Sequence, residues 1–221
     1  MKKLPNPCGT LQPRAQKGMA LIVVLGMMSV IFVVAAISVR LTLLAERSAR
    51  NDRDRQIAFQ AAESALGDAE LDIMGPNTAA NKRCSVRSKH LEGLFEPGCG
   101  KDTTNKTRGL CDLNANSLNP LYTTINFDET SDTDRKFTLF GEFTGRTNNF
   151  KAVADGGLSA KTPRYIIEVV KHVPPIRVNG KVEAAPEGQA FLVTAVGYGP
   201  SVNTKVVLQT MIFKPLATPG C

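Results

Sequence analysis

From Gly18 to Val39 the chain carries no charge, and Arg40 ends the run. About 20 apolar residues are enough to cross the hydrocarbon core of a bilayer, so residues 19–39 predict a spanning helix. Beyond Arg40 the helical pattern continues but turns polar. Residues 40–74 are rich in Leu, Ala, Glu, Arg and Gln, which are good helix formers. No proline lies between Met19 and Met74, and glycine appears there only at Gly26 and Gly67. Gly75-Pro76 then supplies a stop. Glu46 and Arg50, and Arg50 and Asp54, stand four apart, the spacing of surface ion pairs. Ala58, Ala62, Ala65, Ala69 and Ile73 recur at steps of four and three and form a small-residue stripe. The pattern predicts one helix over 19–74, about 84 Å long at 1.5 Å per residue. Its halves are a spanning segment, 19–39, and an amphipathic segment, 40–74.

The rest of the chain divides in two. Residues 75–134 are irregular, rich in Asn, Thr, Gly, Ser and Lys, and hold three cysteines. They read as a long loop region held by disulfides. Residues 135–221 read as strands at 136–143, 163–173, 189–198 and 204–213, with a C-terminal tail. The segment 199–203, Gly-Pro-Ser-Val-Asn, marks a hairpin between the last two. Val206, Leu208, Thr210 and Ile212 fall on one face of the final strand. Val207, Gln209, Met211 and Phe213 fall on the other. The expected fold is α+β: a long N-terminal helix packed, through its alanine stripe, on an antiparallel sheet of about four strands.

Charge and cysteines refine this picture. Net charge is +7, but Lys2, Lys3, Arg14 and Lys17 all precede Met19. Without those four the balance is 23 basic against 20 acidic residues, or +3. The basicity is therefore partly a topology signal, positive residues staying on the cytoplasmic side. No basic stripe interleaved with aromatics points to nucleic acid. The apolar run exceeds the 7–15 residues of a cleaved secretory signal, and no A-x-A site follows it. Cys8 falls before the span. Cys84, Cys99, Cys111 and Cys221 fall beyond it, where an oxidising compartment allows disulfides. Four cysteines allow three connectivities. Cys99 with Cys111 closes a short loop and is favoured, which leaves Cys84 with Cys221.

Candidate chemistry is sparse. There is no C-x-x-C, and the histidines are His90 and His172, so a metal centre is disfavoured. No G-x-S-x-G or P-loop occurs, and the histidines lack a serine or cysteine motif, so catalysis is not expected. The acidic segment 128–134 (DETSDTD) has oxygen ligands for calcium but lacks the glycine and terminal glutamate of an EF-hand loop; a solvated loop is the better reading. Arg47, Arg50, Arg53 and Arg55 are candidates to meet lipid headgroups, or a neighbour's Glu63, Asp68, Glu70 and Asp72. Gly26 offers a point of close helix approach.

The leader ending in Gly18, the uncharged run, and the stretch NDRDRQIAFQAAE at 51–63 resemble type IV pilins. They are most similar to PilX-type minor pilins, which carry a similar R-Q-x-A-F-Q-A-A-E stretch. PRYIIE at 163–168 and GYGP at 197–200, followed by the strand through Val207-Leu208-Gln209-Thr210, resemble the same family. The resemblance implies a pilin fold and a structural role in pilus assembly, in a tip or initiation complex, without cofactor or metal. It implies that residues 1–18 are a prepilin leader, cut by a prepilin peptidase between Gly18 and Met19, with Met19 then N-methylated. It implies as partners other minor pilins, the major pilin, the inner-membrane assembly platform and a tip adhesin. It places the chain in the inner membrane with a periplasmic C-terminal domain, and later in the pilus at the cell surface. Most pilins have glutamate as the fifth residue after cleavage; here that position is Val23. The same loss resembles K-type pseudopilins of type II secretion systems, which are usually larger. A third reading is a signal-anchored periplasmic binding or enzymatic domain that keeps its leader.

Overall fold

The computed structural model describes residues 18–83, 94–104, 106–112, 120–147, 150, 152, 157–170, 176–178, 181–183 and 188–215, the segments 176–178 and 181–183 as backbone alone. The chain forms two compact units, residues 1–50 and 51–221. Helix α1, Met19–Met74, contributes to both. It starts and stops where the pattern places it. Gly75, at φ +66°, turns the chain and donates its amide to Leu71 O at 2.9 Å, a left-handed end that glycine takes without steric cost.

In the second unit a mixed sheet lies against α1. Its strands are β1 (Glu96–Pro97), β2 (Leu110–Asp112), β3 (Thr138–Leu139), β4 (Arg164–Val170), β7 (Gly188–Tyr198) and β8 (Lys205–Pro215). The order is β1-β2-β4-β7-β8, with β3 also pairing β4. A separate hairpin joins β5 (Ile176–Val178) to β6 (Lys181–Glu183). A single turn, α2 (Leu121–Thr124), lies between β2 and β3.

The antiparallel β4-β7-β8 core matches the expected last three strands. Two features differ. First, β1 and β2 come from the expected loop region and run parallel to one another and to β4. Second, the expected strand 136–143 shrinks to β3. Gly141 ends it at φ +79°, where a Cβ would lie 2.2 Å from Arg146 O, and the chain turns back through the Gly145 N–H to Gly141 O bond of 2.9 Å.

Each face of the sheet has its own core. On the helix side Ala65, Ala69 and Ile73 pack with Leu110, Tyr165, Ile167, Val169, Phe191, Val193 and Ala195. On the other side Ile166, Val196 and Tyr198 pack under Cys99, Cys111, Leu121, Ile125, Phe127 and Phe137. The helix meets β7 almost backbone to backbone. A Cβ on Gly197 would lie 2.1 Å from Ala58 O and 2.3 Å from Ala62 N. One on Gly199 would lie 2.7 Å from Asp54 O. The alanine stripe and these two glycines are thus one device, in which small residues on both sides let the elements close up.

Glu168 is the anomaly of this arrangement. It lies mid-strand on β4, only 3% exposed, between Cys111 on β2 and Leu192 on β7. It has no hydrogen-bond partner among the described residues, and burial raises its pKa from 4.5 to about 7. Its folded pKa exceeds the unfolded one, so the native state holds the extra proton between the two values. Stability from this group is full below about 4.3 and falls as pH rises through 7.

Two outcomes follow for full-length protein in detergent, followed by circular dichroism on heating. Gly197→Ala must force helix from sheet, because every obstructing atom is backbone. It should cost about 2–4 kcal/mol, toward or beyond the upper end of overpacking effects, and unchanged melting would refute the close contact. Glu168→Gln should raise Tm by roughly 3–6 °C at pH 8, on the scale of 2–4 °C per kcal/mol. At pH 5 the gain should nearly vanish.

Candidate functional site

The first unit presents an apolar surface. Gly18, at φ +114°, immediately precedes α1, and Met19 is its first residue. Every residue from 18 to 50 is exposed, including Met19 and Val23, and the run of exposed large apolar side chains extends to Leu44. α1 is long and apolar enough to cross a membrane by length and composition. The hydroxyl side chains of the span and of the turn just after it are satisfied inside the helix. Ser29, Ser38 and Thr42 donate to Gly26 O, Val34 O and Ser38 O at 2.7–2.9 Å. Just beyond, Arg50 and Glu46 form the expected pair at 2.5 Å.

In the second unit α1 sorts its charges by face. Asn51, Asp52, Arg53, Arg55, Gln56 and Phe59 are exposed, as are Glu63 and Glu70. Asp68 and Asp72 are not. The expectation that they could meet a neighbour's arginines is corrected: both are fully buried, and the chain itself occupies them. Asp68 accepts the Gly141 amide at 2.8 Å and the Thr144 hydroxyl. Burial raises its pKa, against the lowering effect of those two bonds. Asp72 accepts from Arg83 Nε at 2.8 Å, from Arg83 Nη2, and from the Tyr165 hydroxyl at 3.2 Å.

Arg83 is wholly buried. It also donates to Arg108 O at 2.6 Å, and its guanidinium lies 4.1 Å from the centre of the Phe143 ring. Burial by itself would lower its pKa, yet the net shift is upward because Asp72 holds the proton in place. Tyr165 is pushed well up, by burial and then by the Asp72 charge. Asn77 and Asn81 add bonds to the carbonyls of Phe143 and Glu142 at 2.9 and 3.1 Å. One helical turn with two carboxylates thus fastens the segment 138–145 to α1.

The loop layer is pinned separately. Cys99 and Cys111 are joined by a disulfide. Cys84 and Cys221, with Cys8, His90 and His172, lie outside the described residues. The acidic segment uses its three aspartates on cations, and Glu129 accepts the amides of Thr130 and Ser131. Asp128 meets Lys161 at 2.6 Å and Lys205 at 3.7 Å, and accepts from the Tyr198 hydroxyl at 3.0 Å. Asp132 meets Arg135 and Arg108, and Asp134 meets Lys101. Hydrogen bonds from Lys161, Arg135 and Lys101 respectively lead in holding these three carboxyls below the usual range. Glu142 joins Arg108 and Arg135 from the other side at 2.8 and 3.0 Å. Arg164 lies between the rings of Phe137 and Tyr198, at 4.7 and 5.0 Å, and bonds Phe127 O. The segment is a knot of paired charges.

Sequence reasoning missed Asp68, Asp72, Arg83 and Glu142 as structural residues. A signal existed for the first two. Asp68 follows Ala65 by three and Asp72 follows Ala69 by three, inside the small-residue stripe, so both had to face the sheet. Arg83 and Glu142 carry no such periodicity.

The comparisons with known families agree with this geometry. The PilX N-terminal family matches residues 17–66, the leader junction and most of α1. The family described as type IV pilus assembly protein PilX C-term matches residues 96–214, which hold the sheet but for its last residue, Pro215. No curated protein and no solved structure matches significantly. An N-terminal helix whose first half is apolar and exposed, a sheet closed onto its polar half, and the two family matches lead to one conclusion: the chain belongs to the PilX family and is a minor pilin, a structural component of type IV pilus assembly that works among other pilus components.

Proposed function

We propose that this minor pilin acts in the complex that initiates the pilus and remains at its tip. The observation that carries the reading is Val23, the fifth residue after Gly18, where most pilins have glutamate. A carboxylate in the membrane is costly unless paired. In a growing fibre it is paired by the N-terminal amine of the subunit already in place. The first subunit has no predecessor, so a glutamate there would stay unpaired. Valine removes that cost and suits the chain to the leading position.

Processing is part of the proposal. A prepilin peptidase cuts between Gly18 and Met19, and Met19 becomes the N-methylated first residue. Gly18 fits a tight protease site, since it has no side chain and nothing lies within 4 Å of where a Cβ would be. Cleavage removes Lys2, Lys3, Arg14 and Lys17. Each such charge costs about 2.5–3.5 kcal/mol at the centre of a membrane helix, so their loss lets the helix leave the bilayer for the fibre. Before assembly the protein sits in the inner membrane with residues beyond the span in the periplasm; afterwards it is at the pilus tip. Its partners are the other minor pilins, the major pilin, the assembly platform and a tip adhesin.

Two measurements test these steps separately. Mass spectrometry of the membrane-extracted protein should find N-methylated Met19 as the first residue only in cells with the peptidase. Retention of residues 1–18 in both cells would end the processing proposal and favour a plain signal anchor. Gold labelling of a tagged chain on isolated fibres should mark ends alone, and Val23→Glu should move label into the shaft. Even labelling of wild-type fibres would end the tip proposal.

A further inference from the structure

β8 is one edge of the sheet, and among the described residues no strand covers it through Phe213. Its register with β7 is unbroken from Lys205 to Pro215, without a bulge. The Gly199 amide donates to Thr204 O at 2.8 Å. Carried along the unbroken register, the even-numbered residues of β8 bond β7, and the amides of Lys205, Val207, Gln209, Met211 and Phe213 point to the open edge. Natural proteins blunt edges with proline, bulges, inward charges or covering segments. Here the first proline is Pro215, and Lys205 is the sole charge before Lys214. Two of the side chains beside the edge are apolar and open: Val207 is 43% exposed and Met211 64%.

The surroundings specify the chemistry of an occupant. Next to the start of β8 a groove of about 520 Å³ runs between α1 and the strand. It is lined by Asn51, Arg55 and residues 203–207, with no acidic residue among them, and Arg55 is the cation on its helix side. The hairpin 188–215 contains no acidic residue at all. Lys205 reaches Asp128 at 3.7 Å, and Arg55 is exposed on the helix. Farther along α1, Phe59 adds 44%-exposed aromatic surface.

We propose that β8 accepts an extended segment of another pilus subunit as an added strand, with a carboxylate of that segment seated in the groove against Arg55. Backbone bonds to the open amides give the segment its register, and alternate side chains meet Val207 and Met211 or the groove. A second copy of this chain fits poorly. Its own hairpin, residues 188–215, has no carboxylate to offer the groove. The proposal holds for a subunit at the tip or in the shaft, so it does not stand or fall with the tip reading.

The test is photocrosslinking in cells assembling pili. Benzoylphenylalanine is placed at Val207 of the full-length chain, with a control at exposed Leu158, and adducts are mapped by mass spectrometry. The expected result is an adduct from position 207, absent from 158, to one extended, acid-containing segment of another pilus subunit. Met211→Pro removes an outward amide that the fold does not use and should cut the adduct at least tenfold. Arg55→Glu, on the helix and independent of strand folding, should cut it about fivefold or more. Three results would overturn the proposal: no adduct to another pilus subunit, an adduct only between two copies of this chain, or an adduct undiminished in both variants.

Discussion

The approach of the α1 backbone to β7 is the constraint on which the rest depends. Gly197 leaves no room for even a methyl group against Ala58, Ala61 and Ala62. This fixes the separation of helix and sheet, and so fixes what can fill the space on either side. Close to the contact line only alanine fits. Farther out, Ile73, Phe191, Tyr165 and Val193 fill the widening wedge. A joint made of alanines buries little apolar area per residue, and burial is worth only about 25 cal/mol per Å². The joint is exact in distance but modest in strength. The carboxylates of Asp68 and Asp72 add the missing specificity. A buried ion pair such as Asp72–Arg83 contributes little net stability against an apolar substitute, but breaking it leaves a bare charge in the interior. It therefore holds the segment around 138–145 in one position rather than several.

The sheet is unevenly protected, and that asymmetry bears on function. β4 and β7 are covered on both faces, by α1 on one side and by the disulfide-pinned layer on the other. β8 is half-buried on the helix side and exposed on its outer face. The covering layer ends where the Asp128 cluster reaches Tyr198 and Lys205. The most solidly packed strands are central, and the strand with the least cover lies at the rim. A subunit that works by joining others needs such a division, because an interface must be both held in shape and left open.

Legibility followed the range of the interactions. Helix bounds depend on local chemistry: an uncharged run, good helix formers, a Gly-Pro stop. These could be read directly, as could the faces of β8 and the role of the alanine stripe. The parallel strands β1 and β2 could not, because Leu110 pairs with Ile167 across 57 positions and neither strand is long enough to show alternation. Residues 136–143 look like a strand because Phe137, Leu139 and Phe143 alternate, but Gly141 turns the chain and Phe143 instead covers Arg83. Glu168 sits in a run of apolar β residues, and sequence could not tell whether its side chain reached water.

The span and the second unit divide the work of choosing neighbours. In the span the hydroxyls at positions 29 and 38 are bonded to their own helix, and Val23 offers no charge. Such a helix can pack against other apolar helices, but no electrostatic feature tells it which. Here selectivity has to come from residues beyond the span. The exposed arginines at 53 and 55, Glu63 and Glu70, and the uncovered rim of the sheet are the groups with direction and charge. In this chain the charged and directional groups lie on the sheet and on the polar half of the helix, and the apolar half carries none.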